Sequence, residues 1–184
     1  MSFRALVIPE DPTNNGYILR PLVERMLAET GRPHARVAIL TNPRLKGYDR
    51  AVEAIKGELA ARYGHFDLWL FMPDADKARD LDALERTLEQ SGVCLRCCAA
   101  QPEVEAWLLA GHHQYLGMKW PEVRAHPRLK EEVFAPFLSI HGNARSAGAG
   151  REALTRATLS NYKRLLDLCP ELKQLDQRLR ALED

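Results

Sequence analysis

Phe66–Met72, FDLWLFM, followed at once by Pro73-Asp74-Ala75-Asp76, is the stretch on which the fold turns. The run is apolar except for Asp67, aromatic-rich, and too short for an ordinary helix. Closed off by a proline, it reads as a strand buried on both faces. As the most apolar segment of its kind in the chain it belongs at the centre of a sheet. A strand covered on both sides needs helices above and below it.

Working outward, the neighbouring segments supply both strands and helices. Phe3–Ile8 (FRALVI) and Arg36–Leu40 (RVAIL) precede it as strands, and Val93–Ala99 (VCLRCCA) follows. The stretches between them have helical spacing. One runs from a cap at Asn14 or Asn15 through Glu29 and is ended by Gly31 and Pro33. A second covers about 48–63, with Ala51, Ala54, Ile55 and Leu59 on one face. A third covers Lys77–Gln90, with Leu81, Leu84 and Leu88 in register. The order βαβαβαβ predicts an α/β fold with a four-stranded parallel sheet, helices on both faces and right-handed crossovers.

Beyond residue 100 the texture changes. Glu103–Ala110 (EVEAWLLA) reads as a helix, and 111–150, interrupted by Pro121, Pro127 and Pro136, as short helices and loops. Arg151–Leu182 reads as two helices split at Cys169-Pro170. The expected organisation is one domain over 1–184, an α/β core (1–110) carrying a helical C-terminal extension (111–184).

The 184 residues are 46% hydrophobic and 28% charged, with 26 Lys+Arg against 25 Asp+Glu and a net charge of +1. That balance excludes wholesale disorder and a polycation that coats nucleic acid along its whole length. No apolar run is long enough to span a bilayer, and MSFRALVIPED lacks the apolar length of a secretory signal. The expected compartment is the cytoplasm, with no membrane partner and with Cys94, Cys97, Cys98 and Cys169 reduced.

In open parallel sheets, ligands bind outside the carboxyl ends of the strands. Strand one ends in Pro9-Glu10-Asp11, strand three in Pro73-Asp74-Ala75-Asp76, and strand four leads into Gln101-Pro102-Glu103-Val104-Glu105. Acids at helix starts are ordinary caps and dipole partners. Three strand ends that converge with carboxylates on one edge are less ordinary, because crowded like charges need a counter-charge. Mg²⁺ or Mn²⁺, hard cations that take oxygen ligands, supply it and serve phosphoryl chemistry.

A Glu after strand one, Asp-x-Asp after strand three and a later acid opening a helix together resemble the TOPRIM catalytic domain of topoisomerases, primases and the overcoming-lysogenization-defect (OLD) nucleases. More narrowly, LVIPEDPTNNGYILRPLVERML, LFMPDAD, AQPEVEAWLLAG and NYKRLLDLCPEL resemble a family of small TOPRIM-like proteins associated with ATPases and bacterial defence islands. The likeness covers most of the chain. It implies that Glu10 is the first acid, a general base or metal ligand, and that Asp74 and Asp76 are the metal-binding pair. Glu105 takes the place of the later acid, with Glu103 as its rival. Glu103 and Glu105 do not share a helix face, so one of the two is expected in the site. One departure is visible: the family's Glu-Gly-x-Thr-Glu setting is here Pro9-Glu10-Asp11-Pro12.

Basic residues supply the other half of a phosphodiester site. Arg44, Lys46 and Arg50 follow strand two, and Lys77 and Arg79 flank the Asp-x-Asp. OLD-type nucleases place a catalytic lysine on a late helix, which the resemblance assigns to Lys163. Solvated on a helix face, Lys163 has a plainer explanation.

Other motifs point elsewhere. Cys94 and Cys97 lie on opposite faces of a strand, which argues for buried free thiols over a zinc site. His112-His113 reads as a solvated loop. Ser146-Ala-Gly-Ala-Gly-Arg151 lacks the Lys-Ser/Thr ending of a phosphate loop and reads as a mobile loop.

The expected function is metal-dependent hydrolysis of phosphodiester bonds in nucleic acid, DNA before RNA. The implied setting is anti-phage or anti-plasmid defence, with an ATPase partner and a homodimer as partners. The alternatives are a catalytically degenerate TOPRIM-like subunit that docks on an ATPase and a small-molecule phosphohydrolase.

Overall fold

Strand pairing follows the apolar runs. In the computed structural model, which describes residues 2–76 and 78–182, four strands form one all-parallel sheet: β1 (Arg4–Pro9), β2 (Arg36–Ile39), β3 (Leu68–Met72) and β4 (Leu95–Cys97). The spatial order is β2-β1-β3-β4, so β3 is interior, as its sequence requires. Leu6 pairs with Trp69 and Val7 with Leu70, while Phe71 pairs with Cys97.

α1 (Gly16–Glu29) links β1 to β2. α2 (Tyr48–Lys56) and α3 (Leu59–Tyr63) link β2 to β3, and α4 (Leu81–Gln90) links β3 to β4. Then follow α5 (Glu105–Leu109), α6 (Trp120–Arg124), α7 (Ala135–His141), α8 (Arg151–Leu159), α9 (Tyr162–Leu168) and α10 (Pro170–Arg180).

Alternation along the strands divides the core in two. Ala5, Val7, Leu68, Leu70 and Met72 pack with α1, α5 and the C-terminal helices. Leu6, Ile8, Trp69, Phe71 and Leu95 pack with α2, α3 and α4. Both faces are therefore dry, which is why the strands read as unbroken apolar runs. The C-terminal helices form part of the larger core and are not an appendage to it.

The edge at β4 is closed by side chains. Cys97 N–H donates to Glu85 Oε1 at 2.6 Å, and Arg178 pairs with the same carboxylate while donating to Cys97 O at 3.4 Å. Glu85 thus satisfies a backbone group that an edge strand would otherwise offer to another chain.

Several predicted boundaries move. The helix over 48–63 is two helices, because Gly57 leaves helical geometry at φ −121°, ψ −92°. The helix predicted from Lys77 begins at Leu81, and Lys77 itself lies outside the described residues. The Tyr48 hydroxyl explains the late start: it accepts Arg79 N–H at 3.1 Å and donates to Arg79 O, so those backbone groups are unavailable to a helical turn. The C-terminal pair is three helices, since the Asn161 side chain accepts Arg164 N–H at 3.2 Å and starts α9 anew. Among the described residues, no helix is long and apolar enough to cross a membrane.

Candidate functional site

The sheet's carboxyl edge gathers the acids. Glu10 leaves β1, Asp74 leaves β3, and Glu105 opens α5. The loop after β4 is pinned to the one after β3: Ala100 N–H donates to Pro73 O at 2.8 Å, and Ala75 N–H lies 2.9 Å from Ala100 O and 3.1 Å from Pro102 O. Side chains then join the elements. Asp74 N–H donates to Glu10 Oε2 at 3.3 Å, and Val104 N–H donates to Asp74 Oδ1 at 3.0 Å. One short network thus connects the ends of β1 and β3 with Val104, the residue that caps α5.

The cluster is buried as well as acidic. Glu10 is 5% exposed and Glu105 1%. The Asp74 carboxyl is pushed up to about 7, first by burial and then by the charges of Glu105, Glu10 and Glu103, against the lowering effect of the Val104 N–H. Glu103 is raised by the same causes, burial first and then Glu105. Its Oε2 accepts the Lys130 backbone N–H at 3.0 Å.

Two buried acceptor oxygens near this edge have no hydrogen-bond donor among the described residues, Glu105 Oε1 and Asn15 Oδ1. Asn15 precedes α1 but does not cap it with its side chain, in contrast to the sequence expectation. Lys130 Nζ lies 3.6 Å from Glu105 Oε1, an ion pair without a hydrogen bond.

A cleft of about 440 Å³ opens over the cluster, lined by Glu10, Asn15 and Asp74 together with Arg44, Lys46 and Lys130. Arg44 Nη2 donates to Thr13 Oγ1 at 2.7 Å, which fixes its guanidinium at the rim. Gly47, with φ +85°, makes the turn from this basic loop into α2 and donates its N–H to Glu10 O at 3.3 Å. The cleft therefore has an acidic floor and a basic rim.

The structure sorts the predicted residues. Glu10, Asp74 and Glu105 come together, and Glu103 joins their electrostatics from just before the helix, so both rival acids act on the cluster. Asp76 is exposed in the turn after Asp74 and does not line the cleft. Lys163 is exposed on α9 and does not line it either. Arg50 is taken up by Glu53 and Glu58. The cation that sequence reading missed is Lys130, at the start of a π-helical turn over Lys130–Phe134. It falls in a segment read only as short helices and loops, with no local pattern to single it out.

The remaining motifs have structural roles. Cys94 packs with the first core and Cys97 with the second, as opposite strand faces require. All four thiols are free, and burial pushes Cys97, Cys98 and Cys169 well above their ordinary range. The rings of His112 and His113 contact the carbonyls of Leu154 and Ala110. In the loop before α8, Gly148 is packed so closely against Tyr17 that a Cβ there would lie 2.5 Å from the ring.

As a donor set the cluster suits a hard divalent cation: every group is oxygen, negative charge is in surplus, and a buried carboxylate oxygen lacks a donor. Among the described residues, however, no three His, Cys, Asp or Glu side chains are already arranged to hold a metal ion. Comparison with protein-family profiles, with curated proteins and with solved structures returns no match.

Proposed function

We propose that this chain is a metal-dependent phosphodiesterase, a nuclease acting on DNA, in which Glu10, Asp74 and Glu105 would hold Mg²⁺ or Mn²⁺. The observation that carries the reading is the surplus of buried carboxylate at one sheet edge, with Asp74 held up to about 7 by burial and its neighbours. Gathering like charges in a place of low dielectric stabilises no fold by itself, whereas a cation turns the same arrangement favourable. The bound metal supplies a polarised phosphoryl oxygen and a water of lowered pKa.

The chain's own groups supply the rest. Glu10 accepts the Asp74 N–H, which orients the Asp74 backbone, and serves as the general base. Arg44 and Lys46 bind and orient a phosphate at the rim of the cleft. Lys130, which lines the same cleft, meets charge developing on the phosphoryl oxygens in the role first assigned to Lys163. A cytoplasmic role in defence beside an ATPase partner is the setting that the TOPRIM resemblance supplies.

One observation favours a second reading, the degenerate subunit that docks on an ATPase: the described side chains are not already arranged as a metal site. Titration of Mn²⁺ into wild-type protein and into Asp74→Ala/Asp76→Ala, followed by incubation of both with supercoiled plasmid, separates the two. The nuclease reading expects binding and nicking in the wild type and loss of both in the variant. Absence of binding in the wild type overturns it in favour of the docking subunit.

A further inference from the structure

The Lys130–Glu105 contact has features that a stabilising ion pair lacks. Glu105 is 1% exposed, yet its Oε1 receives no hydrogen bond, and the ammonium nearest to it stands 3.6 Å away. A buried carboxylate is held in place by short hydrogen bonds where a fold relies on it. Here the cation approaches without completing the contact.

Lys130 is also held so that its side chain is free to leave. Its backbone N–H is anchored on Glu103 Oε2 at 3.0 Å, and Leu129 before it is buried. Its own side chain is 40% exposed and lines the cleft that contains Glu10 and Asp74. The residue opens the π-helical turn over Lys130–Phe134, a backbone form concentrated at functional sites. A long flexible stem on a fixed backbone lets the ammonium move several ångströms without disturbing the core.

We propose that Lys130 is a displaceable internal counter-ion: it neutralises Glu105 in the metal-free protein and is released when a divalent cation takes that oxygen. The released ammonium then turns from Glu105 to the cleft that Lys130 already lines with Arg44 and Lys46, where a phosphate would be met. The inference rests on the metal reading above and adds a regulatory element to it, because metal entry and presentation of the lysine become one event.

Mn²⁺ affinity by calorimetry and thermal stability without metal, measured on wild type, Lys130→Met and Lys130→Arg, test it. Lys130→Met keeps the apolar stem and removes the charge. It is expected to lower the melting temperature of the metal-free protein and to bind Mn²⁺ tighter by roughly threefold to tenfold, since one adjacent competing charge is gone. Lys130→Arg is expected to resemble wild type in both. The cycle with Glu105→Gln guards against general damage: once Glu105 is neutral, adding Lys130→Met should cost no further stability. Wild type that binds Mn²⁺ together with a Lys130→Met variant that binds it no tighter overturns this inference alone. Wild type that binds no Mn²⁺ overturns the metal reading and this inference with it.

Discussion

Trp107 Nε1 donates to Glu171 Oε1 at 2.8 Å, and the same carboxylate receives Arg124 through two bonds of 2.6 and 2.7 Å. One side chain of α10 thus locks α5, which carries Glu105, to α6. The chain's late helices thereby set the position of an acid that belongs to the sheet edge.

Removing Glu171 leaves the Arg124 guanidinium and the Trp107 indole N–H without their acceptor in a place that is largely dry. Glu171→Ala is expected to cost about 3 kcal/mol of stability, the scale for breaking one partner out of a buried pair. Urea denaturation of wild type and variant measures it. A loss below about 1 kcal/mol, the scale of an exposed pair, would mean that the three groups are solvated in solution.

The pH response of the metal-free protein should carry the mark of Asp74. A carboxyl raised from 3.8 to about 7 binds its proton more tightly in the folded state. Its stabilising contribution is therefore complete below the unfolded value and is lost as pH rises through about 7. Melting temperatures across pH 5–8, buffered without metal, should fall more steeply in wild type than in Asp74→Asn. If Asp74 holds a metal as proposed, saturating Mn²⁺ should remove the difference in slope, since a bound cation favours the ionised carboxylate. Equal slopes without metal would contradict the burial assigned to this group.

Lys163 and the rim cations make opposite predictions for DNA. On the nuclease reading proposed above, Lys163→Ala should leave plasmid nicking within about twofold of wild type, as expected for an exposed side chain outside the cleft. On the same reading, Arg44→Ala/Lys46→Ala should weaken DNA binding and lower the salt-dependence slope by about 2, one for each phosphate contact that the proposal assigns to them. Fluorescence anisotropy at several salt concentrations reads the slope.

Gly111 is a packing residue. A Cβ there would lie 2.6 Å from the backbone Cα of Thr158, whose hydroxyl donates to Leu108 O at 2.7 Å. Gly111→Ala must push α8 off the α5 segment, at a cost of about 1–3 kcal/mol. A melting temperature equal to wild type would show that these helices have slack.

The thiols should differ sharply in reactivity. Burial raises all four thiols, but Cys97, Cys98 and Cys169 are buried whereas Cys94 is only partly so. A thiol-specific chromogenic reagent is expected to react with at most one of the four before denaturant is added. Prompt reaction of two or more would place the β4 region in a more open state.

The sequence alone determined the parallel α/β sheet, because an apolar run such as Phe66–Met72 is stable only between two layers of helices. It also brought a set of acids to one edge, since Glu10, Asp74, Asp76, Glu103 and Glu105 all follow the carboxyl ends of parallel strands and that edge is fixed by strand direction, but it left open which of them meet. Local signals failed where distant side chains decided the outcome. Tyr48 holds Arg79 out of a helix, and Glu85 finds its backbone partner on β4 twelve residues on. Asp76 looked equivalent to Asp74, but a turn leaves it exposed; Lys163, a catalytic candidate by resemblance alone, lies on a solvated helix surface, the plainer of its two readings. Only the tertiary structure supplied Lys130, because its relation to Glu105 depends on how a π-helical turn packs on α5 across 25 residues of chain. Periodicity records which face of an element is buried. It holds no record of which side chain from another element will stand across from it.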